Sequence, residues 1–303
     1  MLNRFDYRLV RQLLLFAVIV EEKSLRNAAR RLNMSQPPLK AQIDELEARL
    51  RIKLLERSPR GVKATVEGES LLPEVLRFVG HAQELEFAVK QIQAGHRALL
   101  TVAAVHEAML GWLPRFRERL LGEETGFSIF AREIDSGDIA DELQENPTAL
   151  AIGYIPDPGR APWGRLVLTR EAPVVIAPRS HRLAGRGTVT LTELAREDWV
   201  LPGRDISVRY VDRLVALCIE HGFSPRVRHE VASTMQQIAY ACCGQGLALV
   251  PEFFAGLLPE AVVALRLTDV EPCIELTLVW NTSATSPVRD RAVEIARELV
   301  ASQ

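Results

Sequence analysis

The 303-residue sequence has few cysteines, and those it has form no recognisable framework. Cys218, Cys242, Cys243 and Cys273 match no metal-ligand spacing. The adjacent pair Cys242–Cys243 is poorly placed for a disulfide. Apolar neighbours such as Leu217, Ile219, Ala239, Ala241 and Ile274 predict reduced, buried thiols. Long apolar runs are also missing. Leu13 to Val20 is too short to span a bilayer and is followed by Glu21, Glu22 and Lys23. Asp6, Arg8, Arg11 and Gln12 interrupt any signal-like segment, so no membrane partner and a cytoplasmic location are expected. Catalytic signatures fail one by one. His106-Glu107-Ala108-Met109-Leu110 has leucine where a zinc-protease motif needs its second histidine. Gly244-Gln245-Gly246 lacks the third glycine and the context of a dinucleotide site, and reads as a helix stop. No Ser/His/Asp set lies on a nucleophile turn. The expectation is a protein without catalytic residues, metal or cofactor.

What is present is a soluble, globular composition, 48% hydrophobic and 25% charged, with length for two or three domains. The net charge of −2 hides an asymmetry. Residues 1–65 hold 14 Lys/Arg against 7 Asp/Glu, and the remainder 23 against 32. A basic module on an acidic body points to a polyanion partner for the N-terminal part alone.

Within that module, Leu9, Leu13, Phe16, Ala17 and Val20 recur at helical spacing and predict a helix from about Tyr7 to Glu22. Ser24 can cap a second helix carrying the stripe Leu25, Ala28, Ala29 and Leu32. A turn at Asn33-Met34 leads to a third helix from Ser35, with Leu39, Ile43, Leu46 and Leu50 inward. Two short helices, a tight turn and a third helix with one polar face make a helix-turn-helix. Pro37 and Pro38 suit the first turn but remove donors that Ser35 would cap, which frees Ser35 and Gln36 to face outward. Gln36, Lys40, Gln42 and Asp44 are expected on the exposed face. Glutamine can read adenine, and lysine can contact guanine or phosphate. On these helices alone, a protein-interaction bundle with a solvated face remains an alternative.

The stretch Leu54 to Thr65 reads as two short strands around a Pro/Gly turn with Arg57 and Arg60 at its tip, a basic wing. Thr65 then caps a long helix. Its apolar residues Leu71, Val75, Phe78, Ala82, Leu85, Val89 and Ile92 alternate four- and three-residue spacings, a heptad seam for dimerisation. A single buried helix is the competing interpretation.

From Ser24-Leu25-Arg26-Asn27-Ala28-Ala29-Arg30-Arg31-Leu32-Asn33-Met34-Ser35-Gln36-Pro37-Pro38-Leu39, Gln42-Ile43 and Leu46-Glu47, through Leu55-Glu56-Arg57, Arg60-Gly61-Val62 and Thr65, to Gly68-Glu69 and Leu72-Pro73, the chain resembles the LysR-type transcriptional regulators. Leu113-Pro114-Arg115-Phe116, Ala216-Leu217-Cys218 with Gly222-Phe223-Ser224-Pro225, and Gly244 to Pro251 extend the resemblance over essentially the whole chain. Ala41 and Ala149 depart from it, standing where the family usually has a basic and an acidic residue. The DNA-contact set taken from motif and resemblance together is Ser24, Asn27, Arg31, Ser35, Gln36, Pro37, Pro38, Lys40, Gln42, Arg57 and Arg60. The resemblance implies double-stranded DNA as partner, a homotetramer built from two dimers, and RNA polymerase as a candidate partner.

Beyond Leu99, apolar strand-like runs alternate with amphipathic helices, an α/β pattern. Strands are expected at Leu99–Val105, Phe127–Ile134, Ala149–Ile155, Pro173–Pro178, Trp199–Pro202, Arg226–Val231, Leu247–Val250, Val262–Leu267 and Ile274–Trp280. The resemblance implies two α/β subdomains like periplasmic binding proteins. The expected division is 1–65 winged helix-turn-helix, 66–95 linker helix and 96–303 effector region, the last split into 96–168 with 270–303, and 169–269. Similarity places His106, Glu107, Asp135, Ser136, Pro202, Arg204, Asp205, Ile206 and Ser207 in the cleft, to hold a small effector of unknown identity. Many relatives have a small hydroxyl residue where Glu107 stands. With Glu107, Asp135 and Asp205 near the site, a dianionic effector is disfavoured against a neutral, zwitterionic or cationic one. Two other functions stay open: a redox sensor through Cys218, and a small-molecule binding protein or enzyme without a DNA role.

Overall fold

In a computed structural model of the chain, which describes residues 6–58, 61–123, 126–154, 162–204 and 208–302, the first helix, α1 (Tyr7–Glu22), starts where the Asp6 carboxylate accepts from the Leu9 backbone N–H at 2.9 Å. Ser24 caps α2 (Leu25–Arg31) by accepting from Asn27 N at 3.3 Å. The turn that follows places Asn33 at φ 53°, a left-handed conformation that asparagine tolerates. Then come α3 (Gln36–Leu50), an antiparallel hairpin of β1 (Leu55–Ser58) and β2 (Gly61–Ala64), and α4 (Val66–Gln93). Thr65 caps α4 through Gly68 N at 3.0 Å, and Gly95, at φ 89°, closes it. Phe16, Ile19, Ala28, Leu39, Ile43 and Leu46 form a fully buried core under these elements. Each large side chain among them contributes on the order of 1.5–3 kcal/mol by burial. Gly68 is needed for backbone contact: a Cβ there would lie 2.3 Å from the Leu54 carbonyl oxygen.

Two units separate, Met1–Lys90 and Gln91–Gln303. The second unit runs β3 (Ala98–Ala104), α5 (His106–Leu110), α6 (Trp112–Glu123), β4 (Phe127–Glu133), α7 (Ile139–Glu145), β5 (Leu150–Tyr154) and β6 (Trp163–Glu171). It continues through β7 (Pro173–Pro178), β8 (Thr188–Val189), β9 (Asp198–Pro202), α8 (Val208–Glu220), β10 (Arg226–Val231), α9 (Thr234–Cys242), β11 (Leu247–Pro251) and β12 (Val262–Leu267). It closes with β13 (Ile274–Asn281) and α10 (Pro287–Ala301). One five-stranded sheet has the order β4-β3-β5-β13-β6, and a six-stranded sheet the order β10-β9-β11-β7-β12-β8. The chain therefore passes from one lobe to the other between β6 and β7 and returns between β12 and β13. Both lobes are α/β, with fully buried strands such as Leu150–Tyr154 and Leu247–Pro251 at their centres.

Two expectations need correction. Strand β6 was not foreseen. Its apolar alternation is broken by Arg165 and Arg170, whose shared partner Glu275 lies more than a hundred residues downstream on β13. The cysteines are not uniformly buried: Cys218 is, but Cys242 and Cys273 are half-buried and Cys243 is exposed. Position Ala149 is fully enclosed beside Ala151 and Val279, a place with no room for an acidic side chain's hydration.

Candidate functional site

The N-terminal helix-turn-helix presents the first turn of α3. Ser35, Gln36, Pro37, Pro38 and Lys40 are exposed, and the Ser35 hydroxyl makes no capping bond, as the two prolines imply. Gln42 is half-buried. The amide of Gln12, wholly buried on α1, donates to Gln42 Oε1 at 3.4 Å and to Glu45 Oε2 at 3.2 Å. Gln12 was missed in the sequence, although it falls four and seven residues before the core residues Phe16 and Ile19. Glu47, also buried, accepts from Leu54 N at 2.9 Å and Leu55 N at 3.1 Å and pairs with Lys53 at 2.6 Å. Burial works to raise its pKa, but the Lys53 and backbone bonds outweigh that and hold it below the ordinary carboxylate value. Glu47 thus joins α3 to the β1–β2 hairpin.

On α2 the proposed contacts are already engaged. The Ser24 hydroxyl serves as the helix cap, Asn27 Oδ1 accepts from Arg30 at 3.1 Å, and Arg31 pairs with Glu21 at 2.9 Å and Glu22 at 3.0 Å. Arg57 lies on β1, but its side chain, like all of Arg60, lies outside the described residues. Along α4, Leu71 and Val75 pack within their own unit and, with Val10, Leu13, Leu14 and Phe78, line an apolar groove of about 170 Å³. The rest of the seam is solvent-facing: Leu85 is 66% and Ile92 70% exposed, and Phe78, Ala82 and Val89 are exposed too. The heptad pattern therefore divides into a start, Leu71 to Phe78, that faces α1 of its own unit, and an exposed remainder from Ala82 onward.

In the second unit, a cavity of about 310 Å³ opens at the ends of β3 and β4. His106, Glu107, Asp135, Ser136 and Pro202 line it. Arg204 does not; it pairs with Asp212 at 2.8 Å on the surface, and this corrects its expected place. Asp205, Ile206 and Ser207 lie outside the described residues. Glu133, Tyr154, Tyr210, Thr234 and Phe254 also line the cavity and were not foreseen. Glu107 is 8% exposed and accepts from Thr234 Oγ1 at 3.0 Å, a bond that links the two lobes. Burial raises the Glu107 pKa. Tyr154 and Tyr210 stack with ring centroids 5.3 Å apart. Ser136 Oγ accepts from Tyr154 N at 3.0 Å, and Gly153 leaves the room, since a Cβ there would come 2.5 Å from Ile139 Cδ1. His106 Nδ1 lies 3.3 Å from Glu133 Oε1. At the lobe crossing, Glu171 accepts from Phe253 N at 3.1 Å, and burial pushes its pKa up to about 7. Among the described residues no cluster suits a metal ion, and no helix is long and apolar enough to cross a membrane.

A winged reading head, a long exposed-seam helix and a two-lobed body with a ligand-sized cavity define a DNA-binding regulator with a sensor region. Residues 10–69 match the bacterial regulatory helix-turn-helix model of the lysR family, and residues 93–301 match the LysR substrate binding domain. The chain belongs to the LysR family of transcriptional regulators, DNA-binding proteins with an effector-binding domain. It is 26% identical over 292 residues to the regulator AlsR of Bacillus subtilis, covering 95% of each chain. It is 28% identical over 284 residues to XapR of Escherichia coli, covering 94% of this chain and 95% of that one. In fold it resembles crystal structures of CbnR alone (TM-score 0.74) and of full-length CbnR with its target DNA (TM-score 0.71). Both are 21% identical, covering 96% of this chain and 99% of theirs.

Proposed function

We propose that two copies pair along α4, present two reading heads to an inverted-repeat DNA site, and change their DNA affinity or geometry when a small molecule fills the cavity between the lobes. The observation that carries the reading is the exposed apolar stripe from Phe78 to Ile92, placed directly after a basic helix-turn-helix. The working division is 1–65 for reading, 66–95 for pairing and 96–303 for sensing, with lobes 96–168 plus 270–303 and 169–269. Gln36 and Lys40 read base edges, with Ser35, Pro37 and Pro38 shaping the close approach. Ser24, Asn27, Arg31, Gln42, Arg57 and Arg60 set position and strength. His106, Glu107, Asp135, Ser136 and Pro202 serve the effector, and the protein performs no catalysis. The family supports oligomeric assembly; we extend it to a homotetramer, with RNA polymerase as a downstream partner, in the cytoplasm.

A thiol switch through Cys218 is disfavoured: burial pushes that thiol up to about 11, which leaves almost no reactive thiolate. The test is a gel shift of genomic fragments together with sedimentation of the free protein. Retarded fragments sharing an inverted repeat, with a dimer or tetramer in solution, support the reading. A monomer that retards all fragments alike contradicts it.

A further inference from the structure

We infer that the cavity between the lobes takes a small organic cation, an ammonium or guanidinium group on an apolar body. This rests on the reading of the cavity as the effector site. The first ground is its charge. Glu107, Glu133 and Asp135 line the cavity, while among the described lining residues the basic group is His106, which already lies 3.3 Å from Glu133. Arg204, the cation that similarity placed here, faces Asp212 instead. The second ground is the walls. Tyr154, Tyr210 and Phe254 line the same space, and aromatic rings beside carboxylates are the chemistry that holds an ammonium group while shedding its water.

The third ground is what an anion would meet. Two helix starts line the cavity: α5 carries Glu107 itself in its first turn, and α9 enters through Ser233 and Thr234. The Ser233 hydroxyl accepts from Gln236 N, and Thr234 donates to Glu107. The protein's own carboxylate thus occupies the place at which an anionic ligand would be favoured. An incoming carboxylate would face Glu107 at close range in a low-dielectric pocket. A cation would instead compensate a carboxylate that is nine-tenths buried and has a hydroxyl, not a base, as its side-chain partner.

Burial supports this. It raises the pKa of Glu107, and Glu107 in turn helps push the Tyr154 and Tyr210 phenols well above their ordinary value. The groups acting on Glu107 are His106 on its own helix, Glu133 on β4, Tyr154 on β5, Glu171 on β6, Tyr210 on α8 and Thr234 on α9. A cation binds the deprotonated carboxylate, so its affinity rises with pH through the range in which Glu107 ionises. An anion shows the opposite slope.

The test is calorimetric titration of the full chain with 2-phenylethylamine, cadaverine and agmatine, against phenylacetate, glutarate and 2-phenylethanol. It is run as a pH series from the ordinary carboxylate range upward, because burial raises the Glu107 pKa. The expected result is binding of at least one cation, stronger at higher pH, with phenylacetate and glutarate silent. Glu107→Gln, which keeps the shape and the Thr234 bond, should weaken the cation roughly tenfold or more. Met235→Trp, at an exposed residue on the cavity rim, should block the cavity and abolish the heat. Carboxylate or alcohol binding that Met235→Trp abolishes, with the cations silent, overturns the cation inference and leaves the effector site standing. Heat from no probe, or heat unchanged by Met235→Trp, overturns the inference; if Met235→Trp also leaves DNA regulation intact, the effector-site reading falls with it.

Discussion

The reading head and the sensor body treat buried charge in opposite ways. In the head, Glu47 is buried but has an ammonium partner and two backbone donors, and its pKa is lowered. In the body, Glu107 is held by the Thr234 hydroxyl and its own backbone N–H, and Glu171 by a single backbone N–H, and burial raises both pKa values. A saturated carboxylate fixes one geometry, which suits the role proposed for α3, meeting DNA in one register. An undercompensated carboxylate leaves a favourable step for a ligand or a proton to complete, which suits a sensor.

The largest expected effect tests whether the head works singly or in pairs. Leu85→Asp or Phe78→Asp puts a charge into the proposed paired seam at a cost of several kcal/mol. Sedimentation should then show dissociation of the α4 pair, and operator affinity should fall about a hundredfold or more. Retention of both would make α4 a linker and nothing more. Next comes the saturated carboxylate itself. Glu47→Ala leaves Leu54 and Leu55 donors without their partner and should cost the head about 2 kcal/mol or more in a denaturant melt. Because the folded pKa of Glu47 is depressed, its contribution is present above the unfolded carboxylate value and is lost as pH falls through the folded value.

A smaller effect sharpens the division of labour within the head. Gln36→Ala should lose roughly 1–3 kcal/mol on the operator and little on scrambled DNA, measured by anisotropy. Equal loss on both would remove its reading role. Replacing Arg57 should instead weaken both DNAs alike. The smallest effect belongs to the body. The folded pKa of Glu171 is raised to about 7, so the stability it contributes is full below the unfolded carboxylate value and is lost as pH rises through about 7. Glu171→Gln should flatten that part of the stability–pH curve. An unchanged slope would show that Glu171 ionises normally.

The two regions also differ in how far they can be read from residues alone. The head is local: Ser24 capping α2, Thr65 capping α4 and the Pro37-Pro38 start of α3 all act within a few residues. Its helices therefore follow from periodicity and capping rules. The cavity is assembled from distant segments; Glu107 and Thr234 meet across 127 residues. Similarity located the strand ends with His106, Glu107, Asp135, Ser136 and Pro202, but Tyr154, Tyr210 and Phe254 come from other elements and carry no local mark of convergence. Arg204 was misplaced because strand-end position says nothing about a competing partner such as Asp212 one turn into α8. Along α4 the heptad pattern was legible, but it cannot distinguish Leu71 and Val75, which pack on their own head, from Leu85 and Ile92, which face solvent.

The central claim is that this chain selects a DNA sequence with paired heads whose strength is electrostatic and whose choice is made by α3. The most direct measurement is recovery and sequencing of genomic fragments bound by the purified full chain at increasing salt. The account predicts enrichment of a short inverted repeat, with affinity falling about tenfold or more from low to moderate salt while the repeat stays the same. Recovery that follows fragment length alone, or binding indifferent to salt, would contradict it.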